Sequence, residues 1–204
     1  MTHTFETDEQ RVSYGIGRQM GDQLLSSHIP DLSVELVLAG LRDAYTQQPS
    51  QVDDAAMQAA FQTLQAKMQA LAEESARAAG KAGQEFLERN SSREGVITLP
   101  SGLQYEVISE GTGATPTASS TVRTHYEGTL ISGEVFDSSY KRGQPAEFPV
   151  GGVIAGWTEA LQLMKEGAKW RLYIPSDLAY GGRAAGSIPP HSTLIFDIEL
   201  LKVL

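Results

Sequence analysis

The chain has 204 residues, no cysteine, and 16 Lys+Arg against 25 Asp+Glu, for a formal net charge of −9. Without thiols it can hold no disulfide framework, cysteine nucleophile or sulfur-ligated zinc, and the acidic balance argues against nucleic acid or an anionic membrane as partner. At 41% hydrophobic residues it has the side chains for a core, and no window approaches the roughly 18 consecutive apolar residues of a membrane span. Residues 1–10 carry His3, Glu6, Asp8 and Glu9 and lack the basic start and apolar stretch of a secretory signal, so a cytoplasmic protein is expected.

Thr7-Asp8-Glu9-Gln10 fits a capping box, and Val12, Ile16, Met20 and Leu24 follow at four-residue spacing, predicting a helix over about 8–26. Pro30-Asp31-Leu32-Ser33 restarts the chain, and Leu38, Leu41 and Tyr45 continue an apolar face until Gln48-Pro49 stops it. Ser50-Gln51-Val52-Asp53 then opens a proline-free, alanine-rich run to about Ser91, and one helix of about 40 residues would reach about 60 Å. Met57, Phe61, Leu64, Met68 and Leu71 form a seam that wants a partner helix. Beyond it the same positions become Ser75, Ala78 and Ala82, and Gly80 and Gly83 weaken the helix, so its second half is expected to project as a solvated arm. Gly17 and Gly21 share a helix face and would admit another helix closely, either from a second subunit or from within the chain. Gly15-Ile16-Gly17 is not a dinucleotide fingerprint, because the third glycine comes one place late and no strand precedes it.

Composition shifts near Ser91: seven of the nine prolines and most of the β-branched and aromatic alternation lie beyond it. This divides the chain into a helical domain over 1–92 and a sheet domain over 93–204. Leu103, Tyr105 and Val107 alternate with polar neighbours, Val122 to Leu130 is extended, and Ile131-Ser132-Gly133-Glu134 is a hairpin turn before Val135-Phe136. Thr158 to Met164 reads as the one short helix, closed by Gly167. Trp170, Leu172 and Ile174, then Leu194, Phe196, Ile198 and Leu200, mark two amphipathic strands. The economical arrangement is α+β, an antiparallel sheet curled over one short helix.

The histidines at 3, 28, 125 and 191 offer no metal-binding spacing, and Ser138-Ser139 beside Asp137 has no evident histidine partner for hydrolysis. His125 reads as a hydrogen-bonded core or rim residue. Aromatics accumulate instead: Tyr105, Tyr126, Phe136, Phe148, Trp157, Tyr173, Tyr180 and Phe196, joined by Val153, Ile154 and Ile188. With Asp137 and Arg142 they could line a concave apolar pocket, or be ordinary core.

His125-Tyr126-Glu127-Gly128, Phe136-Asp137-Ser138-Ser139, Val153-Ile154-Ala155-Gly156-Trp157, Leu178-Ala179-Tyr180-Gly181 and Ile188-Pro189-Pro190-His191, followed by Leu194-Ile195-Phe196-Asp197, resemble in order and spacing the FKBP-type immunophilin peptidyl-prolyl cis-trans isomerases. The match covers about residues 99–204 and is highly specific. Ser13-Tyr14-Gly15-Ile16-Gly17 and the long helix resemble the amino-terminal dimerisation domain of the macrophage-infectivity-potentiator-like bacterial branch, whose members with a signal peptide are exported.

The resemblance implies an all-α dimerisation domain with a long connecting helix, then an FKBP-like curved antiparallel sheet wrapped over one short helix. It implies a homodimeric rotamase acting on proline-containing unfolded or partly folded proteins, with chaperone-like client binding, inhibited by macrolide immunosuppressants and needing no metal or cofactor. Trp157 would be the floor under the proline ring, and Tyr126, Phe136, Val153, Ile154 and Phe196 the walls. The Tyr180 hydroxyl and the Ile154 N–H would bind peptide carbonyls, Asp137 would be the polar edge or would only pair with Arg142 and fix the loop, and Ile188 would shape the rim. Asp137, Tyr180, Phe136, Tyr126 and Trp157 carry the catalytic assignment; Arg142 and Phe148 complete the binding set. Ala146 stands where many relatives have an aromatic and the stretch Val150-Gly151-Gly152-Val153 is short, so the residue before proline should be gripped less closely. Arg183-Ala184-Ala185 also differs at the mouth. The competing reading is a non-catalytic dimeric holding chaperone or scaffold.

Overall fold

The computed structural model describes residues 4–27 and 29–204, and the histidines at 3 and 28 lie outside the described residues. The chain forms two compact units, residues 1–71 and 72–204, divided within a long helix.

In the first unit, α1 (Asp8–Ser26) starts at the expected capping box: the Gln10 amide donates to Thr7 Oγ1 and the Gln10 side chain accepts from the Thr7 N–H. Ser33 caps α2 (Val34–Tyr45), and Asp53 Oδ1 accepts from the Ala56 amide at 2.7 Å to open α3 (Asp54–Ser91). Neither α1 nor α2 buries a residue. Val12, Ile16, Leu36, Leu38 and Phe61 are all more than half exposed. Among the described residues no helix is long and apolar enough to cross a membrane.

The second half of α3 is not a solvated arm. It belongs to the unit that contains the sheet, where Gly83 and Asn90 are buried. Asn90 Nδ2 donates to Gln104 Oε1 at 2.8 Å, Gln104 Nε2 donates to the Leu87 carbonyl at 2.9 Å, and the Phe86 ring lies 5.8 Å from Tyr173. The small residues that weaken the helix are what lets it lie close to its neighbours. A Cβ on Gly83 would come 2.4 Å from Thr193 Oγ1.

The sheet is antiparallel and ordered β1 (Val96–Thr98), β2 (Gln104–Ser109), β6 (Lys169–Ile174), β7 (Leu194–Val203), β3 (Thr121–Leu130), β4 (Val135–Ser138), with β5 (Ala146–Pro149) also on β3. β3 and β7 place Tyr126 opposite Ile198 and Gly128 opposite Phe196. Leu103, Leu172, Ile174, Leu194, Ile198 and Leu200 are fully buried with Leu161 of the helix that the sheet enfolds and Met164 just beyond its end.

That helix, α4 (Ala155–Leu161), starts three residues before the expected Thr158. Ile154 is the extended cap, and the Thr158 hydroxyl donates back to the Val150 carbonyl at 2.7 Å from inside the helix. Gly156 lets α4 approach β6, since a Cβ there would lie 2.6 Å from Ile174 Cγ2. β1 and β5 were not anticipated: the first is three residues long, and the second is bracketed by Pro145 and Pro149. Tyr173, on the face expected to be polar, is buried beside Phe86.

Candidate active site

A cavity of about 680 Å³ opens beside α4, with Trp157 at its base. Three rings stand almost perpendicular to the indole: Tyr126 at 84° with centroids 5.2 Å apart, Phe148 at 87° and 5.7 Å, and Phe196 at 85° and 5.2 Å. Phe136 meets Phe196 edge-on at 5.5 Å. The arrangement is a floor with upright walls, each wall held by a different strand. Val153 and Ile154 enter from the short 3-10 turn Val150–Gly152, whose Val150 is fully buried.

The polar edge is a linked trio. The Tyr126 hydroxyl donates to Asp137 Oδ2 at 2.5 Å, Arg142 Nη1 donates to Asp137 Oδ1, and Arg142 Nη2 donates to the Tyr126 oxygen at 2.7 Å. Burial pushes the Asp137 carboxyl up, but the bonds from Tyr126 and Arg142 outweigh it and hold the group below the usual carboxylate range. Burial and the adjoining carboxylate raise the Tyr126 phenol above its ordinary value, so it stays protonated and donating. Asp137 is therefore an ionised acceptor with both oxygens engaged.

Tyr180 and Ile188 also line the cavity, with Ala185, Gly186 and Ser187. Ile154 gives its carbonyl to the amides of Trp157 and Thr158, while its own N–H has no partner among the described residues.

Of the residues singled out by sequence, Tyr126, Phe136, Asp137, Phe148, Val153, Ile154, Trp157, Tyr180, Ile188 and Phe196 all line this cavity. Arg142 does not; it braces Asp137 and Tyr126 from outside. Tyr105 and Tyr173 also lie elsewhere, stacked on Trp170 at 4.3 Å and packed against Phe86. From β5 the cavity is lined by Phe148, two residues on from Ala146, and not by Ala146 itself.

Sequence reasoning passed over Gly128 as a site residue. A Cβ there would lie 2.6 Å from both Phe136 and Phe196, so only glycine lets the two walls meet. Its place between Tyr126 and the hairpin was the available signal. Ser139 does have a histidine neighbour, with His125 Nδ1 at 2.9 Å from its Oγ. The serine is fully buried and bonded to the Tyr126 backbone, which makes the pair a structural link. No group of three or more His, Cys, Asp or Glu among the described residues could hold a metal ion.

Family models match both parts of the chain: "FKBP-type peptidyl-prolyl cis-trans isomerase" over residues 113–201 and "Domain amino terminal to FKBP-type peptidyl-prolyl isomerase" over residues 9–107. The chain is 48% identical over 204 residues to the FKBP-type 22 kDa peptidyl-prolyl cis-trans isomerase of Escherichia coli K12, covering 100% of this chain and 99% of the relative. The chain belongs to the FKBP-type peptidyl-prolyl cis-trans isomerases. The outer membrane protein MIP of Legionella longbeachae is 43% identical over 202 residues, covering 97% of this chain and 86% of its own. The crystal structure of FkpA from Escherichia coli superimposes with a TM-score of 0.70 at 37% identity, covering 98% of both chains. The α+β, FKBP-like architecture read from the sequence is thus the family's fold.

Proposed function

We propose that this isomerase seats the proline ring of an X-Pro segment on Trp157 and speeds amide rotation by giving the twisted bond a surrounding that suits it better than water. Rotation breaks amide conjugation against a barrier of about 18–20 kcal/mol. The twisted amide has lost resonance, so its carbonyl is less polarised and tolerates an apolar surrounding better than the planar ground state does. Lowering the barrier by about 7 kcal/mol would accelerate exchange on the order of 10⁵-fold. No bond is made or cut, so Asp137 transfers no proton. It is a fixed negative edge beside the amide, oriented by Tyr126 and Arg142. Tyr180 and the unpartnered Ile154 N–H hold peptide carbonyls, and Phe136, Phe148, Val153, Ile188 and Phe196 enclose the prolyl side.

The observation that carries this reading is the Trp157 floor with three perpendicular rings beside an ionised carboxylate. We further propose that the first unit joins two copies, since a unit whose α1 and α2 bury nothing has no core of its own. Two cavities then act on one unfolded client, giving chaperone-like binding, and a macrolide of the family's inhibitor class competes for the same cavity.

A protease-free isomerisation assay on a short X-Pro peptide, with and without such a macrolide, tests the enzyme reading. Acceleration abolished by the macrolide supports it. Peptide binding without acceleration would replace it with the holding-chaperone reading.

A further inference from the structure

The side of the cavity formed by Tyr180 and Ile188 belongs to a stretch that turns back through Pro189-Pro190 and enters β7 by way of His191, Ser192 and Thr193. His191 has φ 60°, a left-handed conformation uncommon for a residue with a side chain. It is held there from two directions. Its amide donates to the Gly181 carbonyl at 2.8 Å, and its ring lies over Gly182, where a Cβ would be 3.2 Å from Cε1. Gly181 in turn donates to the Ser176 carbonyl at 2.8 Å. His191 therefore grips the backbone immediately after Tyr180, three residues beyond Ile188.

On its other side His191 rests on α3. A Cβ on Gly80 would touch His191 Cβ at 3.4 Å, and one on Gly83 would collide with Thr193 at 2.4 Å from Oγ1 and 3.1 Å from Cβ. Gly83 and Thr193 are buried. The helix is fixed beyond this point by Phe86 on Tyr173 and by Asn90 and Leu87 on Gln104. Glycine inside a helix is destabilising, so Gly83 opposite this loop marks a position where close approach matters more than helix strength, whereas a Cβ on Gly80 would meet His191 in ordinary van der Waals contact.

We propose that Gly83 and His191 are positioning residues for the isomerase site: α3 seats the His191–Thr193 return, and His191 sets Tyr180 and Ile188 at the distance that holds the peptide. The proposal rests on the assignment of the cavity as the X-Pro site. The residues act on peptide binding and leave the twisting step itself to the aromatic walls and Asp137.

The test uses the full-length chain with steady-state isomerisation of a short X-Pro peptide and thermal melting. Gly83→Ala should raise KM about three- to tenfold with kcat within about twofold, and Thr193→Ala in the same chain should return KM towards wild type by removing the colliding hydroxyl. His191→Gly, which the backbone accepts at this φ, removes the contact to Gly80 without crowding the helix and should raise KM similarly. It keeps the test valid if Gly83→Ala fails to fold. With an active wild type, unchanged KM in the folded variants, or loss of kcat alone, would overturn the proposal. A wild-type chain without isomerase activity would remove the site assignment and this proposal with it.

Discussion

The Tyr126 hydroxyl donates to Asp137 Oδ2 at 2.5 Å, so a wall of the apolar cavity and its one carboxylate are fixed as a single piece. Arg142 closes the triangle from the solvent side. Asp137→Leu removes the negative edge and the acceptor that the phenol and the guanidinium share, leaving those two groups only the bond between them. Peptide kcat/KM should fall on the order of tenfold or more, equivalent to about 1.4 kcal/mol or more, with the fold retained. Arg142→Ala should cost less, because the Tyr126 bond still orients the carboxylate. Wild-type turnover by Asp137→Leu would reduce Asp137 to a loop-fixing role.

The two shifts in this trio set the pH response. Asp137 is held below its unfolded value of about 4, so its contribution is fully present above that pH and is lost as pH falls through the lower folded value. Tyr126 is raised, so its contribution is present below about pH 10 and is lost only as pH rises through its higher folded value. Isomerisation followed by NMR exchange should therefore be flat from about pH 5 to 9, with an acid limb that Asp137→Asn removes. A slope near pH 6 to 7 would point to a titrating group outside the trio.

Gly128 and Trp157 separate crowding from cavity formation. Gly128→Ala drives a methyl into Phe136 and Phe196 and should cost about 1–3 kcal/mol while narrowing the site. Trp157→Ala removes the floor and should cost about 3–5 kcal/mol. With a macrolide in the cavity as proposed, both should abolish its binding, measurable by calorimetry on the folded fraction; undiminished affinity in either would move the ligand site elsewhere.

The first three helices were readable because each carries its own cap and periodicity: Thr7 with Gln10, Ser33 and Asp53 all act where the sequence puts them, whereas α4, without a side-chain cap, starts three residues early. The cavity was legible because its residues recur in ordered motifs. What escaped depends on what another element brings. Gly80 and Gly83 look like weak helix until Thr193 and His191 lie against them, and Arg142 looks like a lining residue until its guanidinium is seen behind Asp137. The short β5, between two prolines, gains its identity from its pairing with β3.

A homodimer through residues 1–71 predicts a light-scattering mass of about twice the 22.0 kDa of one chain. Phe61 is 63% exposed in the single chain, and nothing lies within 4 Å of a Cβ on Gly17. Phe61→Asp and Gly17→Leu should therefore leave the isolated chain undisturbed and act only on assembly, shifting it towards monomer. Dimers of unchanged stability in both variants would place the interface on other residues.

Separating the two units tests what the helices add to catalysis, and the place of the cut decides what is measured. A chain starting at Arg93 loses Phe86, Leu87 and Asn90, exposing Tyr173 and leaving Gln104 without its partners, which should cost about 1–3 kcal/mol for the polar groups alone. A chain starting at Ala72 keeps these contacts and the whole compact unit. The Ala72 form should therefore be a monomer with near wild-type melting and near wild-type turnover of a short X-Pro peptide, while the Arg93 form melts earlier. An unfolded protein limited by proline isomerisation is a different substrate, since two tethered cavities raise the effective concentration of the second once the first has engaged. At equal cavity concentration, the Ala72 form should lose at least tenfold more activity in refolding such a protein than on the peptide. Equal losses on both substrates would mean that the first unit joins the copies without any part in holding clients.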